Sequence, residues 1–263
     1  MLIVVKGAGD LASGVACRLK KCGFQVVMTE IAQPTVIRRT VAFADAVYQG
    51  CVTVEGITAV KVNHLQQLKE ELMQNHIPVV IDPTAKIILD LKPEIVVDAI
   101  IAKYNTGTSI NDAGIVIGLG PGFIAGKVVH AVVETKRGHY LGHVIYQGSA
   151  EANTGCPGSI GGFSKERLLK APTRGIFKGV RSIGDYVKSG ETVAIVGGVK
   201  ISASIDGVLR GILKDGLEVT ENMKVGDIDP RGIKEYCFTI SDKALSIAGG
   251  VLEAIFYFLN HNK

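Results

Sequence analysis

The sequence has no run of basic residues and no basic patch interleaved with aromatic side chains. Its formal net charge is only +4 over 263 residues, and aromatic residues make up 6% of it. Proteins that bind nucleic acid carry a concentrated basic surface. We therefore expect no nucleic-acid partner.

Paired cysteines are also lacking. The chain has five cysteines, an odd number, and none of them stands in a Cys-x-x-Cys pair. This usage favours free thiols in a reducing compartment. The first residues have the pattern of a buried strand rather than that of a leader peptide. Together these features predict a cytoplasmic protein.

Metal-ligand spacing and a membrane span are missing as well. His139 and His143 are four residues apart in a strand-like segment, without an evident third ligand, so we expect no metal site. The one long apolar stretch, 244–259, contains Glu253 and is shorter than the ~20 residues that a spanning helix needs. Its helical spacing predicts a final helix packed on the body of the protein, and no membrane partner.

Glycine, in contrast, is abundant, with 32 residues. The strongest chemical signal is an apolar strand that runs directly into a glycine-rich turn, Gly7-Ala-Gly-Asp-Leu-Ala-Ser-Gly14. Gly7 allows a tight turn, Gly9 lets the backbone approach a ligand, and Ala12 is small enough for the next helix to pack closely. A second strand, 24–30, ends in Glu30. This is the position at which an acidic residue binds the ribose of a dinucleotide in proteins with such a turn.

This pattern predicts a dinucleotide site at the start of the first helix. The expected binding residues here are Gly7, Gly9, Asp10, Leu11, Ala12, Ser13, Gly14 and Glu30. Glu30 favours a free 2′-hydroxyl, and hence NAD over NADP. Arg38 and Arg39 lie near enough in sequence to meet a phosphate instead, but a solvated helix face is the favoured interpretation of these two arginines. The alternative is a turn kept for packing alone.

Strands that alternate with helices over the first hundred residues predict a doubly wound, Rossmann-like α/β sheet of parallel strands. In such sheets ligands lie beyond the carboxyl ends of the strands. We therefore expect Glu30, Asp82 and Asp98 to surround the same crevice as the glycine-rich turn. This nucleotide-binding domain, with a β-rich extension, is predicted to cover residues 1–165.

The loops of the middle segment, residues 103–162, carry more polar residues and glycines than simple connections need. Because binding residues often lie on loops, we expect this segment to line the same crevice. The candidates are Lys103, Asn105, Gly118, Gly120, Gly122, Glu134 and Arg137. The alternative is a β-meander with glycine turns and no ligand.

An internal repeat occupies residues 175–228, in which Gly175-Ile-Phe-Lys-Gly returns as Gly207-Val-Leu-Arg-Gly. The pattern resembles the biotinyl/lipoyl domain and predicts a small β-barrel of two like halves over 166–232. Gly197-Gly198 suits a two-residue hairpin turn, which places Lys200 within a strand rather than at a hairpin tip. We therefore expect no covalent biotin or lipoate. Residues 233–263 are predicted to pack back on the body.

Two residues are candidates for chemistry. Cys156 lies in a Thr-Gly-Cys-Pro-Gly turn, where a thiol can act as a nucleophile if its pKa is lowered, and His139 can act as a base. The alternative for Cys156 is a small turn residue. No Ser/His/Asp signature fixes these roles. The sequence leaves open whether the chain is an enzyme.

Four motifs together resemble the YqeB family: Gly7-Ala-Gly-Asp-Leu-Ala-Ser-Gly14, Gly118-Leu-Gly-Pro-Gly-Phe-x-Ala-Gly126, Val133-Glu-Thr-x-Arg-Gly-His139 and Asn153-Thr-Gly-x-Pro-Gly158. The family is associated with selenium-dependent molybdenum hydroxylases, and it is distantly similar to XdhC-type maturation factors. The resemblance implies a maturation factor that binds a nucleotide or a molybdopterin-type dinucleotide and has a molybdenum hydroxylase as its client. The alternatives are an NAD-dependent oxidoreductase and a non-catalytic docking scaffold. A homo-oligomer is left open.

Overall fold

A computed structural model describes residues 1–153, 155 and 158–261. The chain divides into two compact units. Unit 1 contains Met1–Pro34, Ala42–Thr154 and Ile240–Lys263, and unit 2 contains Thr35–Val41 and Gly155–Thr239. The divisions predicted from the sequence, 1–165, 166–232 and 233–263, stay a prediction.

Unit 1 is built on one nine-stranded sheet. Its strands are β1 (Leu2–Lys6), β2 (Gln25–Glu30), β3 (Cys51–Val54), β4 (Ile57–Val62), β5 (Ile77–Ile81), β6 (Ile95–Asp98), β7 (Ile115–Leu119), β8 (Ala131–Val133) and β9 (Val144–Ile145). Their order in the sheet is β3-β4-β5-β2-β1-β6-β7-β8-β9. The seven strands from β4 to β8 in this order are parallel. They are rich in valine and isoleucine, as strands covered on both faces are.

The sheet is mixed, because β3 and β9 run antiparallel to their neighbours. The turn between β3 and β4 is Glu55–Gly56, with both residues at positive φ, and such a two-residue turn joins antiparallel strands. The connection from β8 to β9 contains no crossover helix, which a parallel pairing requires. The prediction of a doubly wound sheet of parallel strands is therefore wrong at both edges.

The helices of unit 1 are α1 (Asp10–Lys21), α2 (Ala46–Gln49), α3 (Leu65–Met73), α4 (Ile87–Leu91) and α5 (Asp242–His261). The apolar core includes Val4, Val27, Val96 and Val116, which lie on adjacent strands. Helices α1 and α5 pack closely, because a Cβ added at Gly14 would lie 2.6 Å from the Cβ of Ala244.

Helix α5 is the only helix in the described part of the chain whose length and composition would suit a membrane span. Its buried residues recur at helical spacing; they are Ala244, Ile247, Ala248, Gly250, Val251, Ala254 and Ile255. This buried face packs on α1 and on strands β7, β8 and β9 of the sheet. A cytoplasmic location stays a prediction.

Unit 2 contains two antiparallel four-stranded sheets. Its strands are β10 (Leu168–Lys170), β11 (Gly175–Gly179), β12 (Tyr186–Val187), β13 (Thr192–Val196), β14 (Val199–Ser202), β15 (Gly207–Ile212), β16 (Glu218–Val219) and β17 (Lys224–Asp229). The sheet orders are β10-β17-β15-β12 and β14-β13-β11-β16.

The internal repeat is visible in the strands of unit 2. In the second half of the repeat, β15, β16 and β17 occupy the positions that β11, β12 and β13 occupy in the first half. Gly197 and Gly198 form the turn between β13 and β14 at positive φ, and Lys200 lies within β14, both as predicted. However, each sheet takes strands from both halves of the repeat. Two open sheets replace the predicted lipoyl-like barrel, and that part of the predicted fold is wrong.

Candidate functional site

The direction of strand order reverses at β1, which lies between β2 and β6. In open α/β sheets such a reversal leaves a crevice beyond the carboxyl ends of the strands. The Ala99 N–H donates to the Lys6 carbonyl at 2.9 Å, so the chain after β6 follows the chain after β1. Gly7, at φ +86°, lies against it: an added Cβ would be 3.1 Å from the Ala99 carbonyl oxygen. The turn and the loop after β6 therefore border the same crevice.

Gly9 is the N-cap residue of α1, and its carbonyl oxygen accepts a hydrogen bond from the Ser13 N–H at 2.8 Å. Its φ of −63° and ψ of 179° are open to any residue. A Cβ added at Gly9 would have no heavy atom within 4 Å. Neither backbone conformation nor packing within the chain explains glycine here, and the bare backbone faces open space.

Glu30, at the end of β2, holds the glycine-rich turn. Its carboxylate accepts the Ala8 N–H at 2.9 Å and the Ile31 N–H at 2.8 Å. Burial raises the pKa of this carboxyl, and the two backbone hydrogen bonds oppose that shift. The acid predicted to meet a ribose is thus engaged with the protein backbone.

Several predicted ligand residues of the turn instead support the fold. The Ser13 hydroxyl donates to the Ala8 carbonyl at 3.1 Å and accepts from the Phe43 N–H at 2.7 Å. Gly14 meets Ala244, as described above. Ala12 is buried and Leu11 is half-buried. Of the turn residues, Gly9 and Asp10 are the ones at the open end of α1.

Behind the turn lies a buried polar cluster of Lys6, Asp98 and Thr108, each at most 3% exposed. The Lys6 Nζ atom lies 3.6 Å from Asp98 Oδ2 and donates to the Thr108 hydroxyl, which in turn donates to Asp98. Asp98 Oδ1 also accepts the Ile100 N–H at 3.1 Å. The cluster joins the ends of β1 and β6 to the following loop.

That loop is held in shape by Asn105. Its side-chain oxygen accepts the Gly107 and Thr108 N–H groups, and its amide donates to the Thr108 carbonyl at 2.8 Å. Lys103 lies exposed in the same loop at φ +69°. A Cβ added at Gly122 would be 2.8 Å from Tyr104 Cα, so the loops after β6 and β7 touch.

Two further glycines of the predicted set serve packing. A Cβ added at Gly118 in β7 would be 2.5 Å from the Phe123 ring. Gly120, at φ +78°, similarly lies against Thr135. Close packing therefore explains the glycine at both positions without a ligand.

Glu134 follows β8 and is 3% exposed. Its carboxylate accepts the Lys136 N–H at 2.7 Å and the Glu151 N–H at 2.8 Å, and so fixes the chain after β8. Arg137 makes a bidentate pair with Asp242, at 2.8 and 3.0 Å, at the start of α5.

Lys243, in the first turn of α5, is not among the site residues predicted from the sequence. Its side chain is half-buried, and burial lowers the pKa of its ammonium group. The charge of Arg137 lowers this pKa further, while the carboxylates of Asp10 and Glu134 oppose the shift. Lys243 therefore lies within electrostatic reach of the start of α1 and of the loop after β8. The sequence gives no signal for Lys243, because the residue borders an apolar stretch and only the packing of α5 on α1 places it near the start of α1.

The candidates for chemistry gain little support. His139 is exposed, and its ring contacts that of Tyr140. Cys156 lies outside the described residues. Burial raises the pKa of the Cys17 thiol to about 12, which makes it unreactive. Within the described ranges, no group of three His, Cys, Asp or Glu side chains is placed to hold a metal ion.

None of the protein-family models matches the chain. Solved structures of weak similarity include an aspartoacylase family protein from Mesorhizobium loti, at 11% identity and a TM-score of 0.29, over 86% of this chain and 84% of that one. Another is a succinylglutamate desuccinylase/aspartoacylase from Rhodobacter sphaeroides, at 15% identity and a TM-score of 0.25, over 81% of this chain and 61% of that one.

These comparisons correct the expected function. The two solved structures are named as an aspartoacylase family protein and a succinylglutamate desuccinylase/aspartoacylase, and neither name is that of a maturation factor. The predictions of molybdenum hydroxylase maturation and of a role for selenium are therefore wrong. At this level of similarity no activity passes from those proteins to this chain.

The chain is also 49% identical over 259 residues to the "Uncharacterized protein YqeB" of Escherichia coli (strain K12). The match covers 98% of this chain and 48% of that protein, so the chain spans about half the length of this curated relative. The chain is a homologue of YqeB along almost all of its own length.

Proposed function

We propose that unit 1 binds a phosphate-bearing dinucleotide, NAD or a molybdopterin-type dinucleotide, at the carboxyl edge of its sheet between β1 and β6. The single observation that carries the proposal is Gly9. This glycine has an ordinary φ and an open Cβ position, so its lack of a side chain is explained by a ligand that approaches the backbone.

Electrostatics at this edge favour an anion. The amides at the start of α1 and the helix dipole present positive potential to the space beyond Gly9. Asp10 puts a carboxylate beside it, and the Lys243 ammonium is within reach to compensate that charge. An anionic ligand would also relieve the penalty of holding this lysine charged in a half-buried place.

Glu30 supports a ligand without a 2′-phosphate. Its carboxylate is fixed by the Ala8 and Ile31 amides at the end of β2. A second anion placed beside this carboxylate would be repelled, whereas a hydroxyl can donate to its remaining lone pairs. The proposal is therefore NAD over NADP, and it is a proposal of binding, with no catalytic step assigned.

Native mass spectrometry tests the proposal. The purified protein is expected to carry a non-covalent mass that is lost on denaturation and matches a dinucleotide. If it is purified without ligand, added NAD is expected to give a one-to-one adduct, and NADP a weaker one. A chain that carries no dinucleotide and forms no adduct with either compound would contradict the proposal.

A further inference from the structure

Arg210 in unit 2 is a buried cation with too few partners. It lies on β15, and the residue is 8% exposed. Its Nε atom is buried without a hydrogen-bond partner, and its ion pair with Asp229 is long, with 3.4 Å between Nη1 and Oδ2. A buried guanidinium is costly unless its charge and its N–H donors are satisfied.

Asp229 is engaged elsewhere. Its carboxylate accepts the Arg231 backbone N–H at 3.1 Å, Nε at 2.9 Å and Nη2 at 2.6 Å. Arg210 and Arg231 therefore share one carboxylate. Two residues earlier on β17, Arg167 at 2.8 Å and Lys224 at 4.0 Å share the carboxylate of Asp227 in the same way.

No neighbouring thiolate supplies the missing negative charge. Cys237 is fully buried, and burial raises the pKa of its thiol, so this residue is neutral at physiological pH. Arg38 adds positive charge within reach of Arg210. The pKa of Arg210 is lowered by burial and then by this neighbour. Around Arg210 the cations Arg38 and Arg231 therefore compete for the negative charge of Asp229 and Asp227, and the guanidinium of Arg210 is left incompletely neutralised.

We propose that unit 2 contains a site for a phosphate-type oxyanion at Arg210. The planar fork of a guanidinium presents several parallel N–H donors and suits bidentate contact with such an oxyanion. Arg231, whose side chain is 38% exposed, extends from the buried Asp229 towards solvent and marks the side from which the anion enters. The site lies wholly in unit 2 and does not depend on the dinucleotide proposed for unit 1.

Calorimetric titration with inorganic phosphate, at ionic strength matched with chloride, tests this site on the whole chain. The wild type is expected to bind phosphate saturably, and Arg210→Met to weaken that binding at least about tenfold, since a charged bidentate contact is lost. Arg174→Met is the matched control. Arg174 belongs to the same unit but pairs with Glu218 on the surface, so its loss is expected to leave the affinity unchanged.

Two more variants keep the outcome clear. Arg210→Lys retains the positive charge but loses the planar fork of the guanidinium, and it is expected to bind phosphate more weakly than the wild type. This variant replaces Arg210→Met in the test if Arg210→Met does not fold. Gly9→Val removes any phosphate bound at the turn of unit 1, and in this background Arg210→Met is expected to cause the same loss of affinity, which separates the two sites. Absence of saturable phosphate binding in the wild type, or equal affinity in the Arg210 and Arg174 variants, would overturn the inference.

Discussion

The Glu30 carboxylate accepts the Ala8 N–H at 2.9 Å, which ties the end of β2 to the glycine-rich turn after β1. A buried carboxylate at this point fixes the turn beside α1 before any ligand arrives. The acid that the sequence pattern places at a ribose therefore has a second role, which spacing alone does not show.

Glu30 should make stability depend on pH in a definite direction. Burial raises the pKa of Glu30 in the folded state, so ionisation of this group costs stability as the pH rises from its unfolded pKa through its folded one. We expect the stability of Glu30→Gln relative to the wild type to rise as the pH increases above about 4, the unfolded pKa of a glutamate, as measured by urea unfolding at each pH.

Glu94→Gln is the control with the opposite sign. Glu94 is exposed, and its hydrogen bond from the Leu2 N–H lowers its pKa. The stabilisation of the folded state by ionised Glu94 is therefore present at neutral pH, and it is lost as the pH falls through the pKa of Glu94 in the folded state. Parallel pH profiles for the wild type and Glu30→Gln would contradict the role assigned to burial at Glu30.

Gly14 tests the contact between α1 and α5. A Cβ at this position would lie 2.6 Å from that of Ala244, so Gly14→Ala should destabilise unit 1 by about 1–3 kcal/mol. Ala244→Gly in the same chain should restore part of the loss. Denaturant unfolding measures both, and an unchanged midpoint in Gly14→Ala would show that the helices do not pack as closely as described.

The buried Lys6–Asp98–Thr108 cluster should respond strongly to loss of its cation. Lys6→Met leaves the Asp98 carboxylate buried without its charged partner, at a cost of about 3–5 kcal/mol. The double variant Lys6→Met/Asp98→Asn should recover part of it. Arg174→Met, which breaks an exposed pair, should cost about 0–1 kcal/mol. Equal unfolding free energies for the two single variants would contradict this picture.

The local pattern of the sequence predicted the strand, turn, helix and strand over residues 2–30, because each element follows from its own residues. The role of Gly14 was not predictable, since its partner Ala244 is far away in sequence. Lys243 was hidden for the same reason. The antiparallel edges depend on particular connections, such as the Glu55–Gly56 turn, which alternation of strands and helices does not reveal.

Lys243→Met should separate binding from stability. Removing a half-buried charge with a lowered pKa should leave the free protein as stable as the wild type or slightly more so. Affinity for an anionic dinucleotide should fall because its compensating cation is lost. Thermal unfolding with and without NAD measures both effects. An unchanged stabilisation by NAD would remove Lys243 from the site.

Calorimetric titration of NAD into the wild type, Gly9→Val and Gly249→Ala tests the proposed binding most directly. Gly9 and Gly249 both have open Cβ positions and no positive φ, so each variant should fold, with a change in stability of about 1 kcal/mol or less. The account predicts that the wild type and Gly249→Ala bind NAD equally, whereas Gly9→Val does not bind it. Equal affinity in all three proteins, or no binding by the wild type, would contradict it.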